Sequence, residues 1–113
     1  MPGFKKLESF EFHHELEMQA GTSLVMFTGE SCGSCRAWKQ LLISYQKQHA
    51  ITLYEIDAGK DMALVNEFDV FHLPAMFLYA QGRYHSPLQC EAKLPVLEQA
   101  IHDCLQADAR EMP

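Results

Sequence analysis

Cys32 and Cys35, separated by Gly33 and Ser34, are the residues of this chain whose type and spacing can do chemistry. Two thiols at i and i+3 across the opening turn of a helix are close enough to close a small disulfide ring. The first then sits at the helix N-terminus, where free backbone N–H groups and the macrodipole favour its thiolate. The arrangement suits reversible dithiol–disulfide exchange. The same C-x-x-C is also half of a zinc site, but structural zinc needs four closely held ligands. No second pair follows at a suitable spacing, and the six histidines (His13, His14, His49, His72, His85, His102) form no H-x-x-H or H-x-x-x-H pattern. No metal and no organic cofactor are expected.

The elements that must position the two thiols can be read outward from them. Ser23–Thr28 is an unbroken apolar run, the pattern of a strand covered on both faces at the centre of a sheet. Gly29-Glu30-Ser31 interrupts it. A helix from Cys35 to about Gln48 carries Cys35, Trp38, Leu42 and Tyr45 at i, i+3, i+7 and i+10. Cys35 therefore belongs to the buried stripe, and Cys32 precedes it. Upstream, Phe4–Leu7 reads as a short strand. A helix N-capped by Ser9 is expected to run to about Ala20, with Phe10 and Phe12 toward the core and Gly21 as its stop. Downstream, Ile51–Asp57 is a strand, and a short helix with Leu64, Val65 and Phe68 inward follows the turn at Asp57–Asp61.

Pro74 lacks an N–H and belongs at the mouth of the apolar strand that runs to Tyr79. Gln81-Gly82 is a hairpin turn into Arg83–Ser86. Pro95 suits the first turn of a last helix with Leu94, Leu97, Ile101, Cys104 and Leu105 on one face. The predicted fold class is α/β, β-α-β-α-β-α-β-β-α, with a central mixed sheet flanked by helices. Residues 1–113 make one domain, and 107–113 are expected to be a frayed polar tail.

With 113 residues, 48% of them apolar, the chain can build a core without stapling. Its net charge of −6 argues against nucleic acid and anionic membrane surfaces as partners. No apolar stretch approaches the roughly 20 residues of a membrane span. The first residues lack the apolar segment of a signal peptide. A cytoplasmic monomer is expected, or a periplasmic one if a leader has been removed.

The order of elements, Cys32-Gly33-Ser34-Cys35 after a buried strand, and Leu73-Pro74 before a hairpin together resemble the thioredoxin family, from Phe4 to Leu105. The resemblance implies a thioredoxin-like fold and a Cys32–Cys35 disulfide that cycles with the dithiol, Cys32 as nucleophile and Cys35 as resolving thiol. It also implies a cis Leu73–Pro74 bond and a Leu73 backbone that pairs with an extended substrate segment. By alignment Ser31, His72, Leu73, Pro74, Gln89 and Cys90 form the substrate surface around Cys32, which is expected to be more polar than in thioredoxins. His72 is a candidate for stabilising the Cys32 thiolate, the simpler alternative being an exposed rim histidine.

Three departures from the family pattern bear on mechanism. Ser31 stands where thioredoxins carry Trp. Met26 and Leu53 stand where they carry a buried Asp and a nearby Lys, so Cys35 is expected to lack an internal base, and its apolar surroundings to raise its pKa. Glu30, the acidic residue nearest in sequence, is expected to be exposed and no substitute. Ser34 replaces a proline, restores an N–H and adds a hydroxyl near the Cys32 sulfur, which together with Arg36 favours the thiolate. Cys104 reads as a small buried apolar residue, and Cys90 as either a third reactive thiol or a chance loop cysteine.

The leading expectation is a thiol-disulfide oxidoreductase of the protein disulfide reductase type. Its partners would be a protein disulfide substrate and a separate reductase or small thiol as electron donor. The alternative is a client-binding or assembly chaperone module in which redox activity is secondary.

Overall fold

A strand with no polar face must be sandwiched, and the apolar run before the cysteines is. The computed structural model describes residues 3–113. Its elements are β1 (Phe4–Lys6), α1 (Ser9–Glu17), β2 (Thr22–Thr28), α2 (Gly33–Gln46), β3 (Thr52–Asp57), α3 (Met62–Glu67), β4 (Ala75–Ala80), β5 (Arg83–Leu88) and α4 (Leu94–Gln106). This is the element order that the sequence predicts. The sheet runs β1-β3-β2-β4-β5, with β1, β3 and β2 parallel and β4 and β5 antiparallel to their neighbours. β2 is central, and its residues Ser23 to Thr28 are buried.

Alternation along the strands sorts the side chains into two cores. Leu24, Met26, Leu53, Met76 and Leu78 pack with Cys35, Trp38 and Leu42 of α2 and Leu97 and Ile101 of α4. Val25, Phe27, Tyr54, Ile56 and Phe77 face the opposite way, onto Phe12 and Leu16 of α1, Leu64 of α3, and Phe68. Glu55 is two residues beyond Leu53 and so points to the α2 side.

Helix α1 departs from expectation in three ways. Phe10 is 82% exposed, whereas Phe12 and Leu16 are buried. At about 100° per residue, Phe10 stands roughly 200° round from Phe12, so one helix cannot bury both against one sheet. The cap is Glu8 and not Ser9, through a reciprocal box in which the Glu8 N–H donates to Glu11 Oε2 at 3.2 Å. Ser9 instead donates its N–H to Asp61 Oδ2 at 2.7 Å. Asp61 Oδ1 accepts from the Leu64 N–H at 3.3 Å, so one carboxylate ties the starts of α1 and α3 together. The helix ends at Glu17, before Gly21.

The hairpin turn at Gln81-Gly82 has positive φ at both residues, as its type requires. Beyond α4 the residues are exposed, and the Arg110 N–H donates to the His85 carbonyl of β5 at 2.7 Å.

Candidate active site

β2 delivers the chain to Gly29-Glu30-Ser31, and the turn closes with the Cys32 N–H donating to the Gly29 carbonyl at 3.3 Å. Cys32 is the N-cap residue of α2, with extended φ and ψ, and Cys35 lies within the first turn. The two sulfurs are bonded at 2.11 Å, with the Cα atoms 5.3 Å apart. Cys32 is half-buried, Ser34 is exposed, and Cys35 retains 5% of its surface. Cys32 is therefore the more accessible of the pair, because the buried helical stripe starts at Cys35. The Ser34 hydroxyl lies 3.8 Å from the Cys32 sulfur.

The Leu73–Pro74 peptide bond is cis. Gly29 sets how closely this segment approaches the cysteine turn. A Cβ at Gly29 would lie 2.7 Å from Leu73 Cδ1, well inside contact distance. Leu73 is shared by two depressions. One, of about 450 Å³, is lined by Trp38, His72, Leu73, Pro74, Gln89 and Cys90, among others. The second, of about 840 Å³, contains Ser31 to Ser34 together with Lys60, His72 and Leu73. Ser31 and Cys90 thus stand in different depressions, with exposed His72 and half-buried Leu73 between them.

The expected polar groove is not what the structure has on the Pro74 side. Trp38, Met76 and Leu88 line its floor, and Phe71 at its edge is 89% exposed. Alignment by loop positions misses the floor, because those residues come from α2, β4 and β5.

Cys104 is half-buried rather than fully enclosed, with its sulfur 4.0 Å from the Pro87 carbonyl. Cys90 is also half-buried, and burial pushes its thiol pKa up, aided by Cys104 and Glu91. Pro113 borders the same depression as Cys90.

A buried charge cluster lies under the disulfide, where the sequence predicts no internal base. Glu55 of β3 is 6% exposed. Its Oε2 accepts from Thr28 Oγ1 at 2.7 Å and from Lys39 Nζ at 2.7 Å. Burial alone would raise the Glu55 pKa. The bonds from Lys39 and Thr28 and the charges of Lys39 and Lys6 outweigh it and hold the carboxyl below its usual range. Thr28, Cys32, Cys35, Arg36, Lys39 and Glu55 line one cavity of about 220 Å³. The sequence does carry a signal. Glu55 interrupts the apolar run Leu53-Tyr54-Glu55-Ile56, and Lys39 is one helical turn after Cys35. Glu55 is also the cross-strand partner of Met26, one strand away from the position where an acid is expected and absent.

A thioredoxin family model matches residues 3–103 of the chain. Among solved structures, a mutant thioredoxin from Halobacterium salinarum aligns with a TM-score of 0.74 at 17% identity, covering 99% of this chain and 96% of that one. Thioredoxin from Trypanosoma brucei brucei aligns at 0.75 and 18%, covering 94% of each. A chain from the study of thiol resolution in yeast mitochondrial 1-Cys peroxiredoxin via glutathione/thioredoxin systems aligns at 0.74 and 20%, covering 88% of this chain and 94% of its own. The sequence has no significant match among curated proteins.

Proposed function

This chain belongs to the thioredoxin family, and from that premise we propose that it is a protein disulfide reductase cycling Cys32 and Cys35 between dithiol and disulfide. The observation that carries the reading is the unequal exposure of the two cysteines, one half-buried at a helix N-terminus and one 5% exposed on the buried stripe of the helix.

The Cys32 thiolate attacks one sulfur of a client disulfide. A Cys32–client bond forms, the client disulfide breaks, and one client thiolate leaves. Cys35 then gives up its proton and attacks the Cys32 sulfur. The Cys32–Cys35 bond forms, the second client thiolate leaves, and two electrons have passed to the client. Gly33 leaves the turn open, since a Cβ there would meet nothing within 4 Å, and Ser34 places its hydroxyl near the attacking sulfur. An extended client segment pairs with the Leu73 backbone beside Pro74, with Ser31, His72 and Cys90 on the rim. A separate reductase or a small thiol restores the dithiol, in a reducing compartment such as the cytoplasm. Phe71, an exposed aromatic next to an apolar depression, favours a second reading in which client binding dominates and redox cycling is secondary.

Insulin reduction with dithiothreitol tests the proposal. The expected result is turnover that disappears in Cys32→Ser, and a trapped mixed disulfide in Cys35→Ser. Absence of turnover in the unaltered protein, with client binding intact, would replace it by the second reading.

A further inference from the structure

We propose that Glu55 is the proton acceptor for Cys35 during resolution of the mixed disulfide, acting through water in the cavity the two residues share, with Lys39 as its positioning residue. The inference rests on the disulfide reductase reading and adds the group that reading leaves unnamed.

The geometry carries it. Cys35 and Glu55 line the same cavity of about 220 Å³, which is large enough and polar enough to hold water. Lys39 is four residues beyond Cys35 on α2, so the two side chains stand on one face of the helix, one turn apart. Its Nζ reaches Glu55 Oε2 at 2.7 Å, and Thr28 Oγ1 donates to the same oxygen at 2.7 Å. Both bonds fall on Oε2. Among the described residues none falls on Oε1, and that atom is not among the enclosed, unpartnered side-chain atoms. One oxygen is thus clamped while the other is left open to accept a bond. The other charged groups facing this carboxylate are Lys6 of β1, Arg36 of α2 and, on the cavity rim, Glu30. The cations keep Glu55 ionised at neutral pH, so it is able to receive a proton and does not already carry one.

In the resolving step the Cys35 S–H bond breaks as its proton moves through a water to Glu55 Oε1. The sulfur electron pair forms the bond to Cys32, and the client thiolate leaves with the pair from the Cys32–client bond. The proton then passes from Glu55 to the departing thiolate or to solvent. No outside oxidant or reductant enters this step.

The test follows the reduced protein in stopped flow with substoichiometric dithiobis(nitrobenzoate). Attack by Cys32 releases the first thionitrobenzoate, and attack by Cys35 releases the second. Glu55→Gln is expected to slow the second release by about a hundredfold at about pH 7, the lower end of general-base effects. The deficit should narrow as pH rises through and beyond about 9, as a growing share of the thiol ionises without a base. Glu55→Asp should restore part of the rate. The first release should change less than about twofold, since Cys32 loses no proton to this site. Equal second-phase rates at all pH values overturn the inference, as does a slowing of both phases that is independent of pH. Should Glu55→Gln fail to fold, Glu55→Gln combined with Lys39→Met removes both charges together and carries the same two outcomes. Absence of a second release in the unaltered protein overturns the reductase reading instead.

Discussion

Replacing Lys39 by methionine should reverse the sign with which Glu55 contributes to the pH dependence of stability. In the folded protein Glu55 is 6% exposed and its carboxyl pKa is depressed, with Lys39 and Thr28 as direct donors. A depressed folded pKa contributes stability that is present above the unfolded value and lost as pH falls through the folded one. The methionine would be close in volume but would leave a buried carboxylate with Thr28 as its one remaining direct donor. Burial, already the largest single influence on Glu55, would then prevail and raise its folded pKa above the unfolded value. The contribution becomes a penalty that is absent at low pH and grows as pH rises through the raised pKa. Orphaning one partner of a fully buried pair costs about 3–5 kcal/mol. The Lys39 side chain is 34% exposed, so solvent screening lowers the expected loss to about 2 kcal/mol at neutral pH. For a domain of this size that is about 10 °C in Tm. Urea denaturation of the oxidised protein and of Lys39→Met from about pH 2 to pH 8, a range that passes below the depressed carboxyl value, is the assay. The curves should converge in acid and diverge toward neutrality. A constant gap, or no gap at about pH 7, refutes the reasoning about Glu55.

Two further outcomes are expected. The Cys32–Cys35 couple should have a reduction potential of about −230 to −200 mV, above thioredoxin's roughly −270 mV, and Ser34→Pro should lower it; equilibration with glutathione measures both. Gly29→Ala should push Leu73 by several tenths of an ångström, because the new Cβ would sit 2.7 Å from Leu73 Cδ1. The cost in stability should be about 1 kcal/mol, at the low end for overpacking since a flexible, half-buried side chain can rotate away. The KM for insulin should rise with little change in kcat, and an unchanged KM would argue against Leu73 as a docking residue.

Most of the fold is legible because the sequence punctuates it strongly. The run Leu24–Phe27 has no polar face and so identifies the central strand, and Gln81-Gly82 and Pro95 mark a turn and a helix start by backbone chemistry alone. The Cys35, Trp38, Leu42, Tyr45 stripe gives the exposure of each cysteine, because helical spacing decides which thiol faces the sheet. What is not legible depends on tertiary choice. Phe10 reads as a core residue by type, yet α1 has one buried face and Phe12 and Leu16 occupy it. Ser9 reads as a cap by type, but the Glu8–Glu11 pair competes for the same role and leaves Ser9 free to reach Asp61. Glu55 escapes notice because an acid in a strand is ordinarily on the solvated face. Only the register of β3 against β2, and the reach of Lys39 across from α2, show that this face is covered. The apolar floor of the Pro74 depression comes from three elements far apart in sequence, which no local pattern brings together.

Both margins of the sheet are poor templates for further strands. β1 is three residues long. β5 carries a register irregularity, a proline without an N–H at Pro87, and a His85 carbonyl already occupied by the Arg110 N–H. These are the devices by which edge strands avoid joining a neighbour's sheet. On the disulfide reductase reading the protein receives extended, partly unfolded chains, and so meets sticky backbone at every turnover. With its sheet margins blunted, it would on that reading offer a hydrogen-bonding backbone beside the cysteines without also seeding aggregates of its clients along its flanks.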